Sequence, residues 1–325
     1  MSDHPYESLS PEKVMEAVES CDYLCDARLL ALNSYENRVY QVGIEDSEPI
    51  IAKFYRPDRW SLEQIQEEHQ FSFELSNADI SVVAPMIDSH GESLHSFAGF
   101  NFALFKRRGG YPPELDNLDN LFVLGRTLGR IHGVAKSKQF QHRIALDIQG
   151  FAIDSYRFIA EHFIPQSLHT AYTSLCEHLV TAVEEKYKPG TDDLMRVHGD
   201  CHVGNILWRD NIAHFVDLDD CIRAPAVQDL WMLLSGERQQ QSLQLNEILE
   251  GYAEFADFNA AQLNWIESLR TMRIMHYSAW LARRWQDPAF PKAFPWFNSE
   301  RYWSEHILEL REQLALLEEP PLELY

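Results

Sequence analysis

Two hydrophobic rhythms divide the chain. Over residues 11–20 the apolar positions recur at helical spacing and predict a short amphipathic helix. Three strand-like runs follow at 27–32, 38–44 and 50–55, joined by polar turns at 33–37 and 45–48, the pattern of an antiparallel meander. Ser61-Leu62-Glu63-Gln64 reads as a capping box that opens a helix with Ile65, Phe71 and Leu75 on its apolar side. Two more strand candidates lie at 81–86 and 99–105. The Lys106-Arg107-Arg108-Gly109-Gly110-Tyr111-Pro112-Pro113 stretch then breaks all periodicity, and from Leu118 onward the pattern is mostly helical. Short apolar runs at 195–198, 206–209 and 213–217, separated by polar turns, interrupt that helical region. The change of rhythm near residue 106 predicts an α+β chain with a small antiparallel β-sheet lobe (1–105) and a larger, mostly α-helical lobe (106–325).

Composition adds a constraint. Apolar residues make up 45% and charged residues 24%, ordinary for a globular chain, but 28 basic against 50 acidic side chains leave a net charge of −22. Such a field repels nucleic acid and anionic membrane, so neither is expected as a partner. A site for a triphosphate has to be locally positive or bridged by metal. The five cysteines are odd in number and scattered, drawing neither a disulfide framework nor a zinc site. No apolar run approaches a membrane span, and MSDHPYESLSPEK lacks the basic and apolar regions of a signal peptide. A cytoplasmic location is expected.

The densest chemical signal is His198-Gly199-Asp200-Cys201-His202-Val203-Gly204-Asn205, followed by Phe215-Val216-Asp217-Leu218-Asp219. An apolar strand ends in His-Gly-Asp, an Asn follows five residues after that Asp, and a hairpin ends in a second Asp. Phosphoryl transfer needs a carboxylate to accept the proton of the attacking hydroxyl, and hard oxygen ligands for the Mg²⁺ that bridges the phosphates. Asp200, Asn205 and Asp217 offer both, in the layout of the HRDxxxxN loop and DFG Asp of protein kinases. Each Asp alone reads equally as a turn residue at a strand end; the joint pattern favours the chemistry. A binuclear metallophosphoesterase would share Gly-Asp-x-His but needs further metal-binding blocks that the sequence lacks. Four zinc ligands drawn from His198, Cys201, His202 and His214 would hardly reach tetrahedral geometry.

Upstream, Ile50-Ile51-Ala52-Lys53-Phe54-Tyr55 places one lysine in an otherwise apolar strand. It is either a surface residue of an edge strand or a cation reaching a phosphate. The following helix supplies Glu67 and Glu68. The protein-kinase plan pairs a strand Lys with a helix Glu, and Glu68 borders the buried face, since Phe71 and Leu75 follow at three and seven residues.

With these residues assembled, the chain resembles the aminoglycoside phosphotransferase and choline kinase-like superfamily through HGDCHVGNILW and the Leu-Gly-Arg-Thr-Leu-Gly-Arg-Ile-His stretch at 124–132. More narrowly, LNSYENRVYQV, AKFYRPDRW, EEHQF, HGDCHVGNILWRD, PAVQDLWMLL and WQDPAFPKAFPWF resemble the bacterial stress response kinase A family of Ser/Thr protein kinases. The resemblance implies a bilobal protein-kinase-like fold, with the small lobe covering the nucleotide and the helical lobe carrying the catalytic loop and metal site. It implies ATP and Mg²⁺ as cofactors, a protein Ser or Thr as acceptor (the chain itself included) and a role in stress response. Residue by residue, Asp200 would be the catalytic base and Asn205 and Asp217 the metal ligands, Asp217 being catalytic as well. Lys53 would bind the α/β-phosphates, oriented by Glu68, and His202 would touch the transferred group. A small-molecule kinase acting on an aminoglycoside, choline, homoserine or a sugar would use the same loop. A monomer is expected.

One departure stands out. The Gly-rich loop of protein kinases is replaced by Asn33-Ser34-Tyr35-Glu36-Asn37, without a glycine, so backbone amides and the Ser34 hydroxyl would face the phosphates. Asp229 reads either as a buried helix carboxylate bracing the catalytic loop or as an ordinary charge at a helix N-terminus. Met272, Met275, Trp280, Leu281 and Trp285 have the spacing of a core stripe. Arg270, Arg273, Arg283 and Arg284 nearby are expected on a solvated face rather than as a substrate clamp, and Lys106-Arg107-Arg108 as a solvated linker.

Overall fold

The computed structural model describes residues 4–325. Helix α1 (Pro11–Glu19) begins at an N-cap on Ser10, and a meander of β1 (Cys25–Ala31), β2 (Arg38–Ile44) and β3 (Ile50–Phe54) follows. Helix α2 (Leu62–Asn77) opens with the expected capping box: Ser61 accepts from the Gln64 amide, and the Gln64 side chain accepts from the Ser61 amide. Strands β4 (His95–Phe97) and β5 (Phe100–Lys106) complete a five-stranded antiparallel sheet in the order β1-β2-β3-β5-β4.

The sheet corrects two expectations. The run at 81–86 is not a strand. It lies extended between the lobes, with Val83 N–H on Phe215 O and Met86 N–H on Leu104 O, and makes only isolated bridges at Val82 and Pro85. Pro85 has no amide to extend a ladder. The strand that pairs with β5 on its outer side is β4, three residues long and joined to it through the left-handed pair Ala98 and Gly99 (φ 49° and 87°), a primed hairpin turn.

Strand β3 is central, so Lys53 does not lie on an edge. Alternation along β3 sends Ile50, Ala52 and Phe54 into the core beneath α1, together with Val14, Val18, Phe100 and Phe102. Lys53, between Val39 and Ala103 in register, points to the opposite face, toward α2. On α2, Phe71 and Leu75 do not belong to the small-lobe core; they pack into the large core of the helical lobe. Helix α2 therefore carries residues of both lobes.

The helical lobe contains α3 (Leu118–Ala135), α4 (Asp154–His162), α5 (His169–Lys186), α6 (Val227–Trp231), α7 (Arg238–Tyr252), α8 (Ile266–Arg283), α9 (Ala289–Ala293) and α10 (Glu300–Leu317). The glycines of the 124–132 stretch let α3 and α7 touch backbone to backbone: a Cβ on Gly125 would sit 1.9 Å from Ile248 O, and one on Gly251 2.1 Å from Phe122 O. Between α5 and α6 lie two small antiparallel pairs, β6 (Met195–Val197) with β9 (Ile222–Ala224), and β7 (Ile206–Arg209) with β8 (Ile212–Phe215). Strand β9, too short to announce itself by alternation, was not anticipated. The Met272, Met275 and Leu281 positions of α8 are fully buried, as their spacing predicts. All five cysteines are free. Among the described residues no helix is long and apolar enough to cross a membrane.

Candidate active site

Strand β6 delivers the chain into His198-Gly199-Asp200, and the loop that follows is held from below. The Asp229 carboxylate, fully buried on α6, accepts from the amides of His198 (2.7 Å) and Gly199 (2.9 Å), and His132 of α3 contacts it at 3.1 Å. Asp229 thus braces the loop backbone and is not an exposed helix charge. Gly199 adopts φ +84°, and a Cβ there would meet Asp220 O at 2.2 Å, so this turn admits glycine alone without strain.

Beyond this brace the loop folds on itself. Asn205 Nδ2 donates to Asp200 O (2.9 Å) and lies 3.3 Å from Asp200 Oδ2. The Val216 amide donates to Asn205 O (3.0 Å), which ties the catalytic loop to the residue preceding Asp217. His202 Nδ1 accepts from the Gly204 amide (3.0 Å), which leaves the proton on Nε2, 3.3 Å from Asp200 Oδ2. Arg273 of α8 reaches the other oxygen, Nη2 to Oδ1 at 2.7 Å. Burial alone would raise the Asp200 pKa, but the His202 hydrogen bond and the Arg273 charge outweigh it and hold the carboxyl well below its usual range. Arg273 is therefore not on a merely solvated face.

The second half of the site is built around Lys53. Its ammonium lies 2.9 Å from Asp217 Oδ1, 3.1 Å from Asp219 Oδ1 and 3.4 Å from Glu68 Oε1. Burial works against the charged lysine, yet the three carboxylates overcome it and raise its pKa well above the ordinary value. Of the adjacent glutamates, Glu68 turns inward to Lys53 and Arg143, while Glu67 accepts from the amides of His142 (2.9 Å) and Arg143 (2.8 Å). Glu68 titrates near 7, pushed up by burial against the opposing pull of Lys53 and Arg143. Asp217 stands in the left-handed region (φ 58°, ψ 63°), a conformation that Asp tolerates better than most residues, and its side chain is half exposed.

The sequence pattern offered no sign of three further residues. Arg143, 1% exposed, bridges Glu68 to the carbonyls of Asp219 and Cys221. Arg59 pairs with Asp219 and Asp220, and Asp219 itself faces Lys53. The turn at 33–37 behaves differently from the rest of the candidate site. Ser34 Oγ donates to Asn37 O within its own turn (3.1 Å), and its side chain makes no hydrogen bond to the other candidate residues described. What fastens the turn is Glu36, which accepts from Trp280 Nε1 of α8 and forms an ion pair with Arg284 at the end of that helix, while Arg38 and Arg56 pair with Asp287. Trp280, assigned to the core stripe, is only partly buried and spans from α8 to this turn.

Asn205 Oδ1 and the second oxygen of Asp217 are hard donors free of other hydrogen bonds among the described residues. They fit Mg²⁺, which takes one or two protein ligands and completes its shell with phosphate and water. No cluster of three or more His, Cys, Asp or Glu side chains able to hold a metal occurs among the described residues.

Comparison with known proteins places this geometry. Residues 28–265 match the model of the phosphotransferase enzyme family. Stress response kinase A of Escherichia coli (strain K12) is 44% identical over 320 residues, covering 98% of this chain and 97% of that one. Serine/threonine protein kinase RdoA of Salmonella typhimurium (strain LT2) is 43% identical with the same coverage. Among solved structures, amicoumacin kinase hAmiN in complex with AMP-PNP, Ca²⁺ and Ami superposes with a TM-score of 0.73 at 20% identity, over 95% of this chain and 94% of that one. A microcompartment-associated aminopropanol kinase follows at TM-score 0.69 and 19% identity, over 94% and 95%. The fold is thus the bilobal kinase-like one, and the chain belongs to the phosphotransferase enzyme family, within its stress response kinase A group.

Proposed function

We propose that this chain transfers the γ-phosphoryl group of ATP, with Mg²⁺, to a serine or threonine hydroxyl of a protein, and that it acts in a stress response. The observation that carries the reading is the junction of the two half-sites: the Asn205–Val216 hydrogen bond sets the Asp200 loop beside Asp217, which itself contacts Lys53. Asp200 accepts the acceptor's hydroxyl proton as the oxygen bonds to the γ-phosphorus, and the bond to the β-phosphate oxygen breaks to release ADP. Asn205 and Asp217 would hold the metal, which when bound would neutralise charge on the phosphates. Lys53, kept in place by Glu68, binds the α/β-phosphates. His202 donates from Nε2 toward the transferred group, and the Ser34 hydroxyl and the amides of its turn cover the phosphates. In this reading residues 1–105 form the nucleotide-covering lobe and 106–325 the catalytic lobe, of a cytoplasmic monomer.

The protein acceptor is supported by the names of the relatives at 43–44% identity, which are kinases of stress response and of Ser/Thr. Solved neighbours named for small-molecule substrates share the fold at 20% identity or less. The test is incubation with γ-labelled ATP and Mg²⁺, alone, with a generic protein and with a panel of amino alcohols, sugars and aminoglycosides. Label on protein, stable to acid and released by alkali, is the expected result. No label on any protein, with rapid turnover of one small compound, would replace this reading by a small-molecule kinase.

A further inference from the structure

Asp200 carries a contact that a general base does not need. A guanidinium placed on a carboxylate oxygen takes up one of its lone pairs and stabilises the charged form, which makes it a poorer proton acceptor, and Arg273 Nη2 sits 2.7 Å from Asp200 Oδ1. Its surroundings differ from those of the other arginines around the cleft. Arg38, Arg56, Arg59 and Arg284 are 11–17% exposed and neutralised by Glu36, Asp219, Asp220 and Asp287. The Arg273 side chain is 39% exposed, and among the described residues Asp200 is the one carboxylate within ion-pair distance of it.

Further along α8, on the same face, Tyr277 is exposed and stacks on Trp280 with ring centroids 5.7 Å apart. His276, on the same helix, packs against Phe151 and Ser155, its pKa pushed down to about 3 by burial and then by Arg283, Arg284, Arg273 and Arg59. Of these, Arg59 and Arg284 are already neutralised, which leaves Arg273 and Arg283 as the guanidinium groups able to meet a ligand on this side of the cleft. Arg283 is exposed, stacks on Phe158, and has no carboxylate within ion-pair distance among the described residues. A chain with net charge −22 thus keeps two accessible guanidinium groups, Arg273 and Arg283, along this part of α8.

We propose that Arg273 selects the acceptor, admitting a serine or threonine flanked by Asp or Glu: the flanking carboxylate takes the guanidinium from Asp200 and thereby frees the base. This rests on the protein-kinase reading above. The global charge does not forbid it, because exposed charges beyond a Debye length of about 8 Å are largely screened, whereas a guanidinium in contact with the substrate is not. The exchange replaces one charge-assisted pair by another: the guanidinium stays paired, while Asp200 keeps His202 Nε2 and Asn205 Nδ2 beside its other oxygen. It also distinguishes selection from simple positioning of the base, since only selection makes the effect of Arg273 depend on the charge of the acceptor.

The experiment uses the full chain with ATP, Mg²⁺ and three serine peptides of one core sequence, flanked by acidic, neutral or basic residues. The wild type is expected to favour the acidic peptide over the neutral one by about tenfold in kcat/KM, the value of one charge-assisted hydrogen bond. Arg273→Gln should abolish that ratio, and Arg273→Glu should reverse it toward the basic peptide. Equal use of all three peptides by the wild type would overturn the proposal, as would an Arg273→Gln variant that slows all three by the same factor. If no peptide is phosphorylated while a small compound is, the protein-acceptor reading fails and this inference falls with it.

Discussion

Asp229 offers the sharpest test of how the fold holds its chemistry. Its two oxygens receive the His198 and Gly199 amides and the His132 contact, all without access to water. Asp229→Asn preserves shape but turns one acceptor into a donor. In its better orientation the amide keeps the His198 and His132 partners and points its NH₂ at the Gly199 N–H. One charge-assisted hydrogen bond is lost, about 1.5–3 kcal/mol, and a buried donor is left unsatisfied at about 1–3 kcal/mol. A net destabilisation of about 2.5–6 kcal/mol lowers Tm by about 4–9 °C for a chain of this size. Gly199 is already in a left-handed conformation against Asp220 O, so the released loop has little freedom to relax around the base. Misplacing a catalytic group by about an ångström costs on the order of 10²-fold. We therefore expect kcat to fall by about that factor below the variant's Tm, with the KM for ATP much less affected. Thermal melts combined with steady-state kinetics make the measurement. A variant with wild-type Tm and wild-type kcat would refute the bracing role.

Asp217→Ala should weaken metal-nucleotide binding, and so raise the Mg²⁺ concentration that activity requires, more than Asn205→Ala, because a carboxylate is the stronger ligand for a hard cation; an unchanged Mg²⁺ titration in both variants would remove them from the metal site. A pH effect follows from His69 on α2, which is buried, hydrogen-bonded to Tyr55 and Ser93, and titrates near 3 because burial and then the Lys53 and Arg143 charges disfavour its cation. Its folded pKa is below the unfolded value of about 6.5, so the stability it contributes is complete above that pH and is lost as pH falls toward 3. Between pH 6 and 5 the wild type should lose about 1.2 kcal/mol more stability than His69→Gln, measured by urea unfolding. Parallel profiles would show that the His69 pKa does not change on folding.

Local grammar made much of this molecule readable. The capping box at Ser61, the alternation that isolates Lys53 in β3 and the compact Asp200–Asn205 spacing all operate within a few residues, where sequence and geometry are tightly linked. The spacing of Phe71 behind Glu68 was enough to choose between two glutamates. The remainder depends on distant partners. Arg59 meets Asp219 across 160 positions and Arg143 meets Glu68 across 75, and no periodicity encodes such pairs. Arg273 looked like one charge among several on α8 because its partner, Asp200, belongs to another element. Strands β4 and β9, three residues each, are defined by the neighbours that pair with them rather than by their own pattern. The 81–86 run carries strand-forming residues yet bonds as a connector, since Pro85 and its position between β5 and β8 prevent a continuous ladder. Ser34 was picked as the hydroxyl of a turn without glycine; what the sequence did not reveal is that Glu36, two residues on, anchors that turn to the helical lobe.

The central claim is that Asp200 takes the acceptor's proton during phosphoryl transfer from ATP. Transfer of label from γ-labelled ATP by Asp200→Asn, measured beside nucleotide binding by the same preparation, tests it most directly. Removing a general base costs about 10²–10⁴ in rate. The account predicts a loss in that range with nucleotide still bound, and transfer by the variant at the parental rate would contradict it.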